Sequence, residues 1–551
     1  MRVEPVEPRA TLPRVAALIV TWNRRAAVDV VLRALARQGY ALSSLDVVVI
    51  DNGSTDGTVA FLAERWRPDA IYDNATAAAH QPAFRKRGAE PRPGHAADAA
   101  GNSGGFASLT IIANAHNHGG CGGFNTGLAF AEQFLDRTGS GLDYAWLVDD
   151  DVDLPDNALE QLVATAEADE QVGLVGSRTV DFDDRETTIE TTIYFDYDNG
   201  WMGPEPRPSH RLAQSHQRWV DEVGGTRGKR DFRGVREVDV VSACSLLARW
   251  SAVKRVGFWD HRYFIYCDDA DWCLRFAKAG YKVVCDLDAV VFHTYWLSKL
   301  TPTRGYYAQR NLVWLIQKVF GGAALRKATM RRLGALLVES RKAMTHCRLF
   351  HAEIFRRTAE DIVTGRGGKL EFEEPPFIPL IKALDVAGAL RPDARVAVMC
   401  SHPESIRWAD ELRIRLGYAL ADADRIAEQP EWFYMTRDHV PDPIADGGVG
   451  GLSRPARVVF EPNRGSKWNA QKGFLKKPPT AVIVFEQSND LPMIRGRCNI
   501  HIDRRRPGLA QMEWDGWPVR AAFLRRWAVT ALKCALYAAR VRPYVSTSKY
   551  G

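Results

Sequence analysis

The sequence predicts an α/β protein: a doubly wound, mostly parallel sheet in a first domain, then a helical extension, then a second and smaller α/β domain. Short runs of β-branched apolar residues alternate with helical patterns from Val15 onward, and Gly, Asn, Asp and Ser turn chemistry separates them. At 551 residues the chain is also too long for one ordinary core.

The elements follow in order. Val15 to Thr21 reads as a strand, Ala26 to Gln38 as a helix and Asp46 to Asp51 as a second buried strand, together a βαβ unit. Asn52 to Thr58 is turn chemistry before a helix through Trp66, and a short strand follows at Ala70 to Tyr72. Residues 75–108 are rich in Ala, Gly and Pro and lack periodicity, so they read as a long mobile insertion. Strand Leu109 to Ala113, a Gly-rich loop, a helix from about Phe124 to Leu135 and strand Tyr144 to Val148 come next. Tyr306 to about Arg366 is helical and basic. Strand candidates then recur at Arg395 to Met399, Trp432 to Met435, Arg457 to Phe460, Ala481 to Phe485 and Asn499 to Ile502. The resulting division is residues 1–304, 305–370, 371–512 and a basic tail, 513–551.

Composition excludes several classes. A hydrophobic content of 46% with 25% charged residues is that of a folded protein. The N-terminal stretch lacks the basic region and long apolar run of a signal peptide, and no run of ~18 apolar residues predicts a membrane span. The nine cysteines are dispersed without a C-x-x-C pair, which fits reduced core thiols in a cytoplasmic protein. A net charge of +6 is no nucleic-acid signature, but Trp517 to Gly551 holds seven Lys and Arg and no acid. Projected as a helix, Trp517 to Arg542 gathers Arg525, Arg526, Lys533 and Arg540 on one side, with Phe523, Leu524, Trp527, Ala531 and Leu532 spread over the other. That pattern fits an in-plane helix at the inner face of the plasma membrane, or equally a helix packed on the body with solvated arginines.

Four groups carry chemistry. Asp149, Asp150 and Asp151 end an apolar strand, and acids so crowded call for a compensating hard cation, Mg²⁺ or Mn²⁺. Alternate residues of an extended segment share a face, so Asp149 and Asp151 can address one ion; a solvated acidic turn is the plainer alternative. Asp268, Asp269 and Asp271 stand at the mouth of a helix, where a carboxylate either caps the helix or accepts a proton. His293 ends a β-rich run as a core histidine or a third metal ligand. In Asn117 to Gly127, glycines between strand and helix serve as a flexible turn or let backbone approach a phosphate or sugar. No Walker loop, G-x-S-x-G elbow or H-E-x-x-H occurs.

Together, TWNR, DNGSTDGT, NHGGCGGFNTG, the DDD triplet, SACSLLAR before FWDHRYFIYCDDADWCLR, and a final VVFH resemble family 2 inverting glycosyltransferases of the GT-A fold, over roughly Val15 to Asn311. The GGCGGFNTG form with the DDD and DDAD acids is most similar to bacterial galactofuranosyltransferases, with rhamnosyltransferases as near neighbours. The resemblance implies a UDP-sugar donor and a glycan or lipid-linked acceptor. It places Thr21, Asn23, Asp51 and Asn52 around base and ribose, and Asn117, Gly119, Gly120 and Asp150 near the donor. It makes Asp149, Asp151 and His293 ligands of Mn²⁺ or Mg²⁺, Asp269 the general base and Asp268 its neighbour holding the acceptor. The long insertion and the second domain depart from the family. A sugar-nucleotide nucleotidyltransferase would carry glycines after the first strand, which TWNRRAAVD lacks, and a non-catalytic glycan-binding descendant should have lost acids that all remain. A second transferase in the C-terminal domain is the further alternative.

Overall fold

The computed structural model describes residues 12–78, 80–87, 105–136, 141–295, 301–346, 348–400, 403–437, 452–461, 463–485, 492, 494–502, 508–544 and 549. It divides into two compact units. The first is Met1–Thr329, Gly365–Leu370 and Val541–Gly551; the second is Met330–Thr364 and Glu371–Arg540. The helical stretch expected over 305–370 is therefore shared between the two units.

The strands of the first unit are β1 (Val15–Thr21), β2 (Leu45–Asp51), β3 (Ala70–Asn74), β4 (Phe84–Lys86), β5 (Ser108–Asn114), β6 (Tyr144–Asp149), β7 (Val172–Asp181), β8 (Thr188–Glu190), β9 (Tyr194–Phe195), β10 (Met202–Gly203), β11 (Val235–Glu237), β12 (Ser245–Arg249) and β13 (Lys282–His293). The main sheet runs β11-β13-β7-β12-β6-β1-β2-β5-β3-β4, with β8 paired to β7. Neighbours from β6 through β3 are parallel, and β12 is inserted antiparallel between β6 and β7. Its helices are α1 (Arg25–Ala36), α2 (Thr58–Trp66), α3 (Gly119–Phe130), α4 (Ala158–Glu167), α5 (Ala213–Val223), α6 (Trp250–Val256), α7 (Asp268–Lys278) and α8 (Pro302–Val319); α9 (Gly322–Thr345) leads into the second unit.

The unbroken apolar run in β1 reflects burial on both faces. Ala16 and Leu18 join the core that contains Leu128 of α3, while Val15, Ala17 and Ile19 join the core that contains Val28, Val31 and Leu32 of α1. Two expectations are corrected here. The stretch 75–108 is not uniformly irregular: β4 pairs antiparallel with β3 and extends the sheet edge, while residues 79 and 88–104 lie outside the described residues. The glycines from Gly119 onward do not form a loop before a helix starting at Phe124; they are the first turns of α3. A Cβ on Gly123 would meet Val20 Cγ1 at 2.4 Å, and one on Gly127 would meet Ile50 Cδ1 at 2.9 Å. These glycines allow the helix to lie directly on the sheet, which their composition alone does not distinguish from turn flexibility.

The second unit begins in α9 and contains α10 (Leu349–Thr364), β14 (Ile378–Pro379), α11 (Leu380–Val386), β15 (Arg395–Cys400), α12 (Pro403–Asp422), β16 (Glu431–Thr436), β17 (Ala456–Val459), α13 (Arg464–Leu475), β18 (Ala481–Val484), β19 (Cys498–Ile502), β20 (Leu509–Trp514) and α14 (Trp517–Arg540). Its sheet runs β14-β20-β19-β18-β15-β16-β17, and the five strands β19 to β17 are mutually parallel. Outward from β15 on either side, this is a doubly wound order. β14 and β20 escape a sequence reading because one is two residues long and the other is interrupted by Gln511 and Glu513. The basic tail is part of this unit only as far as Arg540: α14 buries Phe523, Thr530, Cys534 and Ala538, and Arg356 of α10 donates to Thr530 Oγ1 at 2.9 Å, whereas Val541–Gly551 belongs to the first unit. Among the described residues no helix is long and apolar enough to cross a membrane.

Candidate functional site

In an open parallel sheet, the chain reverses at the carboxyl ends of the strands, and side chains from several strands meet there. Thr21 pairs in register with Asp51, and Val20 with Asp149, so the ends of β1, β2 and β6 lie level. Beyond β6, Asp153 exchanges backbone hydrogen bonds with Phe292, 3.1 Å and 2.9 Å, which ties the acidic segment to the end of β13. His293 is thereby brought to the acids. Its Nε2 lies 3.2 Å from Asp151 Oδ1 and 4.0 Å from Asp149 Oδ2. One ligand atom from each of Asp149, Asp151 and His293 lies within 4.8 Å of the others. Two carboxylate oxygens and one imidazole nitrogen, all partly open to solvent, fit a Mn²⁺ or Mg²⁺ ion with sites left for other ligands.

Asp150 faces away from this group. It is buried, accepts from Thr21 Oγ1 at 2.8 Å and from Arg24 Nη1 at 3.0 Å, and burial raises its pKa. Thr21 and Asp150 thus bond each other beneath the acids. Arg24, absent from the expected site, reaches Asp151 Oδ2 as well, at 2.7 Å. Burial opposes its charge, but Asp150 and Asp151 more than offset this and its pKa is raised. Its signal was present in the sequence: a cation three residues beyond a strand whose neighbour ends in three acids.

The other residues expected around the donor form an amide network. Asn52 Nδ2 donates to Gly119 O at 2.8 Å and to Asn117 Oδ1 at 3.3 Å, while its Oδ1 accepts from His118 N at 3.1 Å. Asn23, exposed and at φ +53°, accepts from Thr55 N at 2.7 Å and so links the loops after β1 and β2. Asp51 is buried, with Oδ2 accepting from Ser54 N at 3.2 Å and Oδ1 unpartnered; burial raises its pKa. A buried acceptor without a donor is costly unless a ligand completes it. Gly120, half-buried, has open space where a side chain would stand.

The acids of α7 open that helix. Asp268 is buried and burial, with Asp269 next to it and Asp149 in range, raises its pKa well above the usual carboxylate value. Asp269 is half-buried, accepts from Ala270 N at 2.7 Å, and burial raises its pKa too. Asp271 is set apart: its carboxylate meets Lys318 Nζ at 2.8 Å and Arg275 Nε at 3.0 Å. Glu190, at the end of β8, is an acid that sequence reasoning missed, since nothing distinguishes it among the polar residues 181–192. Burial, aided by the Asp269 charge, pushes its pKa up to about 7, which places it in the same electrostatic neighbourhood.

Residues 97–227 match the model for glycosyl transferase family 2. That span includes Asn117, Asp149 to Asp151 and Glu190 and stops short of Asp268 and His293. No curated protein matches the sequence. Solved structures with similarity include S. aureus TarS, at 13% identity over 75% of this chain and 54% of that one, with a TM-score of 0.37. The similarity therefore spans about half of the TarS chain. Another is the mannosyltransferase PcManGT from Pyrobaculum calidifontis in complex with GDP-Man and Mn²⁺, at 17% identity over 65% and 89% of the two chains, with a TM-score of 0.34. The first unit is thus an α/β unit in which residues 97–227 match the glycosyl transferase family 2 model, and the second is an additional α/β unit.

Proposed function

We propose that the first unit transfers a sugar, with inversion, from a nucleotide-diphosphate donor to a hydroxyl of a glycan or lipid-linked acceptor, with UDP-galactofuranose as the donor. The observation that carries this reading is the convergence of Asp149, Asp151 and His293 at the strand ends, with Asp268 within the field of Asp149. Asp269 takes the proton of the acceptor hydroxyl as that oxygen bonds to the anomeric carbon; the bond from that carbon to the diphosphate breaks and its electron pair leaves with the nucleotide. A raised pKa suits a base working near neutrality. Asp268 holds the acceptor sugar. Asp51, with its unpartnered oxygen, and Asn23, Asn52 and Asn117 line the donor nucleotide, together with Gly119 and Gly120. Asp149, Asp151 and His293 would hold Mn²⁺ or Mg²⁺, which when bound neutralises charge on the departing diphosphate. Inversion by direct displacement needs no protein nucleophile, and the site as read assigns none.

Donor-binding calorimetry with Mn²⁺ tests the assignment across UDP-galactofuranose, UDP-galactopyranose and dTDP-rhamnose. Selective binding of the first supports it. Selective binding of dTDP-rhamnose would make the protein a rhamnosyltransferase, and binding of none would remove both donor assignments.

The acceptor side of this reading includes peripheral contact with an anionic membrane surface through α14. The apolar residues of this helix fall on two arcs, not one. Phe523 is buried, whereas Val529, Leu532 and Leu536 are 51%, 63% and 51% exposed, next to Lys533, Arg540 and Arg526. An outward apolar arc edged with cations on an acid-free helix is what an anionic lipid surface binds.

A further inference from the structure

The segment that delivers Asp268 and Asp269 is strained. Phe264, Tyr266 and Cys267 have φ of +68°, +68° and +60°, three left-handed non-glycine residues within four positions. L-residues leave such conformations unless their surroundings over-determine them. Here every carbonyl from Arg262 to Tyr266 is engaged, and most of the donors come from two adjacent residues of α8. Asn311 Nδ2 lies 2.9 Å, 2.7 Å and 2.8 Å from the carbonyls of Tyr263, Ile265 and Tyr266, so its two hydrogens serve three acceptors. Arg310 Nη2 donates to the carbonyls of Arg262 at 3.1 Å and Tyr263 at 2.9 Å. Arg310 Nε donates to Asn311 Oδ1 at 3.0 Å and thereby fixes which way the amide points. The remaining carbonyl, of Phe264, accepts from Cys121 N of α3 at 3.2 Å, close enough that a Cβ on Gly119 would stand 2.0 Å from it.

Arg310 and Asn311 are both fully buried, and the guanidinium lies 4.7 Å from the Trp314 ring centroid and 5.0 Å from that of Tyr306. Its other nitrogen donates to the carbonyl of Gly368 at 3.0 Å, and Gly368 N in turn donates to the carbonyl of Arg262 at 2.8 Å. These contacts join α8 and residues 366–368 to one side of the loop while α3, which carries the donor glycines, holds the other.

We propose that Arg310 and Asn311 are positioning residues: by holding the Tyr263–Cys267 backbone in its left-handed path, they fix the direction in which Asp269 leaves the start of α7. The proposal rests on the reading of Asp269 as the base, and the experiment separates the two. Asn311→Asp keeps the shape, removes the two donor hydrogens and faces three carbonyls with a carboxylate; Asn311→Ser and Arg310→Lys are milder. UDP binding with Mn²⁺ is measured by calorimetry, turnover by UDP release from UDP-galactofuranose with an alkyl glycoside as hydroxyl acceptor, and loop release by alkylation of Cys267, the buried last residue of the strained turn. The expected result is UDP affinity within about threefold of the parent and turnover down roughly a hundredfold, the scale of a misplaced reacting group. Cys267 should be alkylated at least about tenfold faster as the segment opens locally, and Arg310→Lys should fall between Asn311→Asp and the parent. Folded Asn311→Ser with parental turnover and parental Cys267 protection overturns the proposal, as does a loss of UDP affinity matching the loss of turnover. If Asp269→Asn turns over normally in the same assay, the base reading fails, and faster Cys267 alkylation in the Asn311 variants still reports the clamp.

Discussion

Arg24 donates to one carboxylate oxygen of Asp151: its Nη1 holds Oδ2 at 2.7 Å, which leaves Oδ1 to face His293 Nε2 at 3.2 Å. Asp151 is therefore oriented before any cation arrives and offers it a single oxygen. Asp149→Ala or Asp151→Ala should abolish transfer, and excess EDTA should do the same to the parent. Parental activity in EDTA would eliminate the metal.

Asp269→Asn keeps the shape of the side chain and loses its basicity. Nucleotide-sugar affinity should stay near parental while transfer slows at least roughly a hundredfold, the low end of general-base catalysis. A capping role predicts a loss of about 1 kcal/mol at most and little change in turnover, because Asn caps nearly as well as Asp. Normal turnover by the folded variant would shift the role to Asp268; Asp271 is committed to Lys318 and Arg275.

The glycines of α3 divide by what lies above them. Gly123→Ala puts a methyl 2.4 Å from Val20 Cγ1 and should cost ~1–3 kcal/mol of stability, the usual penalty of overpacking. Gly120→Ala meets nothing within 4 Å and should be neutral or stabilising by up to ~1 kcal/mol. Thermal unfolding of the two variants checks this, and equal effects would refute close helix–sheet packing as the reason for Gly123.

His216 gives the first unit a pH dependence. It is buried against the Tyr194 hydroxyl, 3.1 Å from Nδ1, and burial, with Arg236 nearby, lowers its pKa from 6.5 to about 4. The unfolded chain then binds a proton near 6.5 that the folded chain refuses until about 4, so stability falls as pH drops through this window. Denaturant midpoints between pH 7 and pH 4 should decline less steeply in His216→Phe than in the parent; parallel slopes would assign the acid sensitivity elsewhere.

For α14, flotation with anionic vesicles should carry the protein upward, and Leu532→Glu with Leu536→Glu should abolish this without loss of folding. Both side chains are more than half exposed, so the substitutions disturb no core. Flotation unaffected by the pair would remove the membrane contact.

Much of this was legible in the sequence because strands buried on both faces appear as unbroken apolar runs bounded by turn residues. β1 spans Val15 to Thr21 as read, and the strand ends that carry Asp51, Asp149 and His293 fall within one residue of expectation. The glycines of α3 were misread because close packing and turn flexibility demand the same residue. Arg24 and Glu190 were missed for another reason: each matters through a neighbour far along the chain, Asp151 or Asp269, and a pairing across more than seventy residues leaves no local period. The helical projection of the tail left open which arc meets the body, and the structure buries Phe523 while Leu532 faces solvent. A wheel gives angular position but not which arc meets the body.

The threading of the first unit sets an order of events during synthesis. Asn311 must meet carbonyls at 263–266 made only moments before it, but Gly368, which completes the arginine's bonds, emerges after the chain has already produced a helix and more of the other unit. Residues near Val541 and Tyr544, which pack against Arg262 and Gln317, emerge later still, roughly 12–45 s after Asn311 at ~5–20 residues per second. During that interval the nascent polypeptide must keep an unfinished fold from aggregating. A chain cut after Arg540 would therefore keep the second unit whole and weaken the first, whose segment comes last.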